Sequence, residues 1–293
     1  MTGAAGLIPG VALLTAAAIW GTTFPLVKEA LKHISAFEFL AIRFTIASTV
    51  LAAISPRSAR WAVKTGLRGG ITAGLLLALG HAFQTIGLDH TLSTNAGFIT
   101  GLYVVFTPLL AAIVLRRRPK ALVLLGVVLT AAGLALMSLR LDAGNVTFNV
   151  GDLLVLVCAV MYAGQIVTLA RYAAESDPRV LTLQQLTVTA VFFIIATPTQ
   201  PVRAPTSGAV WIAVFATAIG SSVFGIGVQT WAQQRISPTR AAVIFSMEAP
   251  FAALAAFLLA DERLSSQAWA GAAMILCGML IVELKPTTSI REG

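Results

Sequence analysis

Apolar runs, each near the ~20 residues that cross ~30 Å of hydrocarbon as a helix, follow one another along the chain. Short stretches richer in proline and charge separate them. The pattern predicts helices over 9–30, 36–54, 69–88, 93–114, 121–139, 151–171, 180–197, 209–231, 239–259 and 267–284. The expected fold is therefore an all-α integral membrane protein of ten transmembrane helices. The breaks carry turn-forming pairs, Ser55-Pro56, Arg118-Pro119, Asp177-Pro178 and Ser237-Pro238, and a looser stretch over 198–207. None is long enough to hold a soluble domain.

Composition agrees with this reading. The chain is 57% hydrophobic and 11% charged, where a soluble domain carries roughly 25% charged residues. A net charge of +8 would suggest nucleic acid in a soluble protein. Here the cations sit in small clusters between apolar runs, so they read as topology signals and no nucleic-acid partner is expected. With ten spans, fourteen Lys and Arg fall on the side of the termini and five on the other. The positive-inside rule then makes both termini cytoplasmic. The first run lacks a basic leader and ends in Lys28, so it is read as a retained helix.

The sequence also repeats. Trp20 and Tyr162 follow similar residues, Pro108 and Pro250 precede similar runs, and both pairs are 142 residues apart. Gly126 and Gly133 correspond to Gly271 and Gly278 with a shift of 145. Two five-helix repeats are expected, residues 1–142 and 143–293. A unit with an odd number of spans enters the membrane from opposite sides in its two copies, which gives an inverted-topology pair.

Sites in such architectures lie near the bilayer midplane between the repeats. Counted along their helices, Trp20 (~16 Å), His81 (~18 Å), Tyr103 (~15 Å), Tyr162 (~16 Å) and Glu248 (~14 Å) all reach that depth. Thr23, Gln84, Thr100, Thr107 and Gln165 stand three or four residues from these and extend them into polar stripes. Polar groups in lipid are costly unless they face a cavity or a partner, so the set is expected either to line one hydrated cavity or to bond across helices. Glu248 has three readings: a contact to a substrate ammonium, a proton carrier, or a salt bridge to Arg43. Arg43 and Lys28 lie toward the outer half, where long side chains snorkel.

Other residues carry less. Cys158 and Cys277 read as packing residues and His33 and His90 fall at helix ends, so neither a metal nor a cofactor is expected. The pairs Gly70/Gly74 and Gly97/Gly101 allow close helix approach. HExxH, GxSxG, P-loop and GxGxxG motifs are missing from the sequence, which speaks against an enzyme. Asn145-Val-Thr147 is a formal glycosylation sequon on the expected outer side.

Several segments resemble the drug/metabolite transporter superfamily in its EamA-type ten-helix branch. They are Trp20-Gly21-Thr22-Thr23-Phe24-Pro25-Leu26-Val27-Lys28, Arg43, Ser93-Thr94-Asn95-Ala96-Gly97-Phe98 leading to Pro108, Met247-Glu248-Ala249-Pro250, and Ala260-Asp261-Glu262-Arg263-Leu264. One departure is Arg116-Arg117-Arg118-Pro119, where many members carry a turn like Glu262-Arg263. The resemblance implies a multi-pass carrier in the cytoplasmic (inner) membrane, working by alternating access without ATP or a cofactor. Similarity to YddG-type amino-acid exporters implies an amino acid or similar small zwitterionic metabolite as substrate. A drug or quaternary-ammonium exporter is the alternative within the class. A non-transporting receptor or lipid-processing enzyme is the alternative outside it.

Overall fold

The computed structural model describes residues 4–116, 119–138, 150–197, 206–259 and 265–284. Arg117-Arg118, Arg140, the Asn145 sequon, Arg203, the 260–264 turn and the basic residues Lys285 and Arg291 lie outside the described residues. All described elements are helical: α1 (Ala4–Ala30), α2 (Ala36–Ile54), α3 (Pro56–Ala62), α4 (Leu67–His90), α5 (Ser93–Gly101), α6 (Tyr103–Val114) and α7 (Ala121–Ser138) come first. They are followed by α8 (Val150–Tyr172), α9 (Pro178–Ala196), α10 (Gly208–Phe215), a π-helical stretch (Ala216–Ile226), α11 (Gly227–Ala232), α12 (Pro238–Phe245), α13 (Glu248–Leu259) and α14 (Ser266–Leu284).

Eight of the resulting helical runs are long and apolar enough to cross a membrane, and α7 and α14 contribute shorter apolar stretches, Ala121–Leu136 and Trp269–Ile281. The protein is a multi-pass membrane protein; many of its large apolar side chains, such as Ile113 and Ile195, face outward, while others, such as Phe39 and Phe44, are buried. Its interior holds hydroxyls and amides, among them Thr100, Gln165, Gln185, Ser222 and Thr230. That inside-out distribution suits lipid as the surrounding solvent, because apolar surface costs nothing there and buried polar groups find each other.

Three of the X-Pro breaks, at Pro56, Pro178 and Pro238, turn out to be helix starts. Asp177 caps α9, its Oδ1 accepting from the backbone N–H of Arg179 at 2.8 Å and of Val180 at 3.2 Å, with Pro178 following. Ser237 caps α12 in the same way ahead of Pro238. Proline fits the first helical position because its missing N–H would be unpaired there anyway. α2 opens with a reciprocal capping box between Ser35 and Glu38.

Four interfaces organise the core: α4 against α8 and α9, α1 against α13 and the π-helical stretch, α2 against α9, and α7 against α14. The marker glycines lie in the last of these. A Cβ on Gly133 would meet the Gly271 carbonyl at 2.7 Å, and one on Gly278 would meet the Gly126 carbonyl at 2.8 Å. The marker glycines of α7 therefore meet those of α14 crosswise, Gly133 against Gly271 and Gly126 against Gly278. The GxxxG glycines also pack closely, Gly74 against Val188 of α9 and Gly97 against Ala252 of α13. Cys158 is buried and Cys277 exposed, and both are free thiols.

Candidate functional site

Three helical runs depart from regular α-helix near mid-membrane, and the candidate site lies beside the departures. α5 stops at Gly101 and α6 restarts at Tyr103; α12 stops at Phe245 and α13 restarts at Glu248. The run from Gly208 to Ala232 widens into a π-helix over Ala216–Ile226. Such irregular backbone is tolerated at membrane depth where it is buried in protein or lines a cavity.

The cavity at this level holds about 740 Å³ of atom-free space, of which about 70 Å³ is open to the centre of a water molecule. It accommodates several waters as it stands, and a larger solute requires its walls to part. Of the residues expected to line a cavity, Trp20, Thr23, His81, Gln84, Tyr103, Tyr162, Gln165 and Glu248 do so, and Arg43 joins them. Thr100 does not reach the cavity. It is fully buried behind the wall and accepts from Gln84 Nε2 at 3.2 Å. Thr107 is buried as well, and its hydroxyl has no partner among the described residues.

The aromatic side chains are held by polar contacts and by glycine. Trp20 Nε1–H donates to the Ser221 carbonyl at 3.0 Å, and its ring lies 5.0 Å from that of Phe245. The Tyr162 hydroxyl donates to Gln84 Oε1 at 3.0 Å and lies 2.8 Å from His81 Nδ1. A phenol has one proton to give, so the bond to Nδ1 needs a proton on the imidazole. Both rings occupy space that only a missing side chain provides: a Cβ on Gly225 would enter the Trp20 ring and one on Gly80 the Tyr162 ring. Gly80 and Gly225 are 145 residues apart, the same shift as the glycine markers.

Arg43 and Glu248 both line the cavity and do not pair with each other. Arg43 is 6% exposed, its Nε donates to Ser222 Oγ at 3.1 Å, and its Cζ lies 5.0 Å from the Phe44 ring centre. It does not snorkel, and it makes no ion pair with Glu248. Glu248 accepts from the Tyr103 hydroxyl at 3.3 Å. Lys28, by contrast, is structural. Its Nζ donates to the Thr91 and Leu88 carbonyls at the end of α4, where a helix terminus favours a cation.

Amides form one side of the cavity. Gln229 Nε2 donates to Gln165 Oε1 at 2.8 Å, Gln165 Nε2 to Gln185 Oε1 at 2.8 Å, and Gln185 Nε2 to Thr230 Oγ1 at 3.3 Å. Inspection of single helices did not bring out Gln229, Ser221 or Phe245, all of which line the cavity. A signal for Gln229 existed, since it stands 145 residues after Gln84, the same shift that separates the marker glycines.

The model of the EamA-like transporter family matches residues 8–139 and matches again over 149–284. The chain belongs to this family. An uncharacterized transporter of Archaeoglobus fulgidus is 34% identical over 279 residues, covering 94% of this chain and 85% of that one. The uncharacterized transporter YcxC of Bacillus subtilis is 27% identical over 284 residues, 89% of this chain and 88% of its own. Among solved structures, a crystal structure of a protein is similar in fold, with a TM-score of 0.78 at 20% identity over 94% of this chain and 96% of that one. As an EamA-like protein the chain is a membrane transporter, not an enzyme, and its partners are a small-molecule substrate and the lipid bilayer.

Proposed function

We propose that this EamA-like transporter exports amino acids or similar small zwitterionic metabolites across the cytoplasmic membrane. The observation that carries the reading is that Arg43 and Glu248 both line the cavity without forming an ion pair with each other. Among the described residues Arg43 uses only Nε, on Ser222, and Glu248 only accepts from Tyr103. The remaining guanidinium N–H groups can receive a carboxylate, and the free carboxylate oxygen can receive an ammonium. The Ser221 hydroxyl, buried and without a partner among the described residues, adds a further polar group to the cavity. Trp20, Tyr103, Tyr162 and Phe245 supply apolar faces for a side chain.

The transport cycle in this reading is alternating access by two inverted five-helix halves, with ten spans and cytoplasmic termini. Support comes from the double family match, from the helix breaks at Leu102 and at Ser246-Met247, and from the paired contacts of Gly80 with Tyr162 and Gly225 with Trp20. Broken helices at a midplane site between inverted repeats are a recurring way of building secondary transporters. α6 and α13 each begin at a cavity residue, Tyr103 and Glu248, so both present helix N-termini there.

The rival within the class is export of a quaternary amine, which would use Glu248 and leave Arg43 idle. Flux of labelled amino acids and of one quaternary amine into liposomes containing the purified protein separates the two, run with and without a pH gradient. Saturable amino-acid flux is expected. Amine flux without amino-acid flux would replace this reading with drug export, and no flux of either would leave the substrate outside both classes.

A further inference from the structure

The basic segment between α2 and α4 has a structure of its own. Residues 55–68 contain Arg57, Arg60, Lys64 and Arg68 and no acidic residue, and all four cations are exposed. Trp61 is 58% and Val63 71% exposed among them. An aromatic and apolar group set between cations is the make-up of a segment lying in the headgroup layer. The segment is also fixed in place. Gln184 Nε2 of α9 donates to the Ala62 carbonyl at 2.8 Å and to the Thr65 carbonyl at 2.6 Å, at the C-terminal end of α3.

Beside it opens a second cavity, separate from the central one, in which about 610 Å³ is open to the centre of a water molecule. Thr49 and Ala52 of α2 and Leu67 and Ile71 of α4 wall it, with Thr187 and Val188 of α9 between them and α3 at its end. Leu67 and Ile71 are each 45% exposed, so the groove is open at the surface. It contains no ionisable side chain.

We propose that this groove seats an acyl chain of an anionic phospholipid whose phosphate is held by the cations around α3. Charge complementarity selects the headgroup: none of the four cations makes an ion pair among the described residues. Asp177, at the start of α9, competes little, since it is engaged in capping that helix. The groove selects a lipid over a soluble anion, because a free phosphate would use the cations and leave the adjoining apolar walls empty. Each Lys or Arg near an anionic surface contributes roughly a five-fold preference, so four of them give a strong bias toward phosphatidylglycerol over phosphatidylcholine.

The test is the lipid retained by the full-length protein when extracted from nanodiscs of equal phosphatidylglycerol and phosphatidylcholine, read by native mass spectrometry. The expected result is at least about ten-fold enrichment of one phosphatidylglycerol per protein. That enrichment should be lost both in R57Q/R60Q/K64Q/R68Q and in Thr49→Trp/Thr187→Trp, which fills the groove at two exposed positions and leaves every charge in place. No enrichment in the wild type overturns the proposal. Enrichment that survives groove filling overturns it equally, since the cations would then attract headgroups without a seated chain. Thermal melting of each variant in detergent separates loss of the lipid from loss of the fold.

Discussion

Arg43→Gln is expected to raise the KM for an amino acid about 30-fold or more, while Glu248→Gln does the same through the opposite pole. Removing one member of a buried charge contact costs roughly 2 to 5 kcal/mol, and every 1.4 kcal/mol is about tenfold. Analogues distinguish the two roles. An amine lacking the carboxylate should be insensitive to Arg43→Gln, and an acid lacking the ammonium should be insensitive to Glu248→Gln. Both would be measured as flux into liposomes across a concentration series. Equal losses for all analogues in both variants would mean that Arg43 and Glu248 only support the helices around them. If proton movement is coupled to transport, Glu248→Gln should also abolish the response of flux to a pH gradient.

Gly21→Val is expected to be the most damaging single substitution beside the cavity. A Cβ at Gly21 would stand 2.5 Å from the Glu248 carbonyl, 2.7 Å from the Ala252 nitrogen and 2.7 Å from Phe251 Cβ. Two of these are backbone atoms of α13, so no rotamer change relieves the clash and α1 must move away from α13. Overpacking of a tight core typically costs about 1 to 3 kcal/mol, and here the displaced helix begins with Glu248. A clearly lower melting temperature in detergent and at least about a ten-fold loss of flux are expected. Gly227, where a Cβ would meet nothing within 4 Å, provides the control. If Gly21→Val melted like Gly227→Val, the tight contact between α1 and α13 would be wrong.

The helical architecture was legible because lipid imposes a simple rule on sequence. A segment that crosses must be apolar and helical, so α2 covers the residues predicted from hydropathy, 36–54, and most other ends fall within a few residues. What hydropathy does not carry is continuity. The predicted 93–114 run is interrupted at Leu102, although Pro108 sits farther on, inside α6, and leaves that helix unbroken. In the ninth run Pro250 lies in the first turn of α13, where its missing N–H costs nothing, and the break falls just before it. α3 falls in a break between predicted helices, because a seven-residue helix is too short to give a hydropathy period of its own.

The candidate site was legible for a different reason. Depth along a helix follows from counting residues, so Trp20, His81, Tyr103, Tyr162 and Glu248 reached mid-membrane on paper and line one cavity in the structure. Which side of a helix faces inward is set by its neighbours. Thr100 therefore ended behind the wall bonding Gln84, and Arg43 turned inward to Ser222 although its depth suggested snorkelling. Ser222 belongs to the π-helical stretch, whose altered pitch no residue count predicts. Gln229 becomes apparent only in the structure, although its spacing of 145 residues from Gln84 carried a signal.

The central claim is that amino acids pass through the midplane cavity. The most direct measurement compares saturable flux of a labelled amino acid in liposomes between the wild type and Trp20→Ala/Tyr103→Ala, both reconstituted at equal density and checked for equal melting temperature. The account predicts saturable flux in the wild type and its loss in the double variant, because the two rings that face the solute are gone while the surrounding helices stay in place. Undiminished flux through a correctly folded double variant would contradict the account and move the pathway away from this cavity.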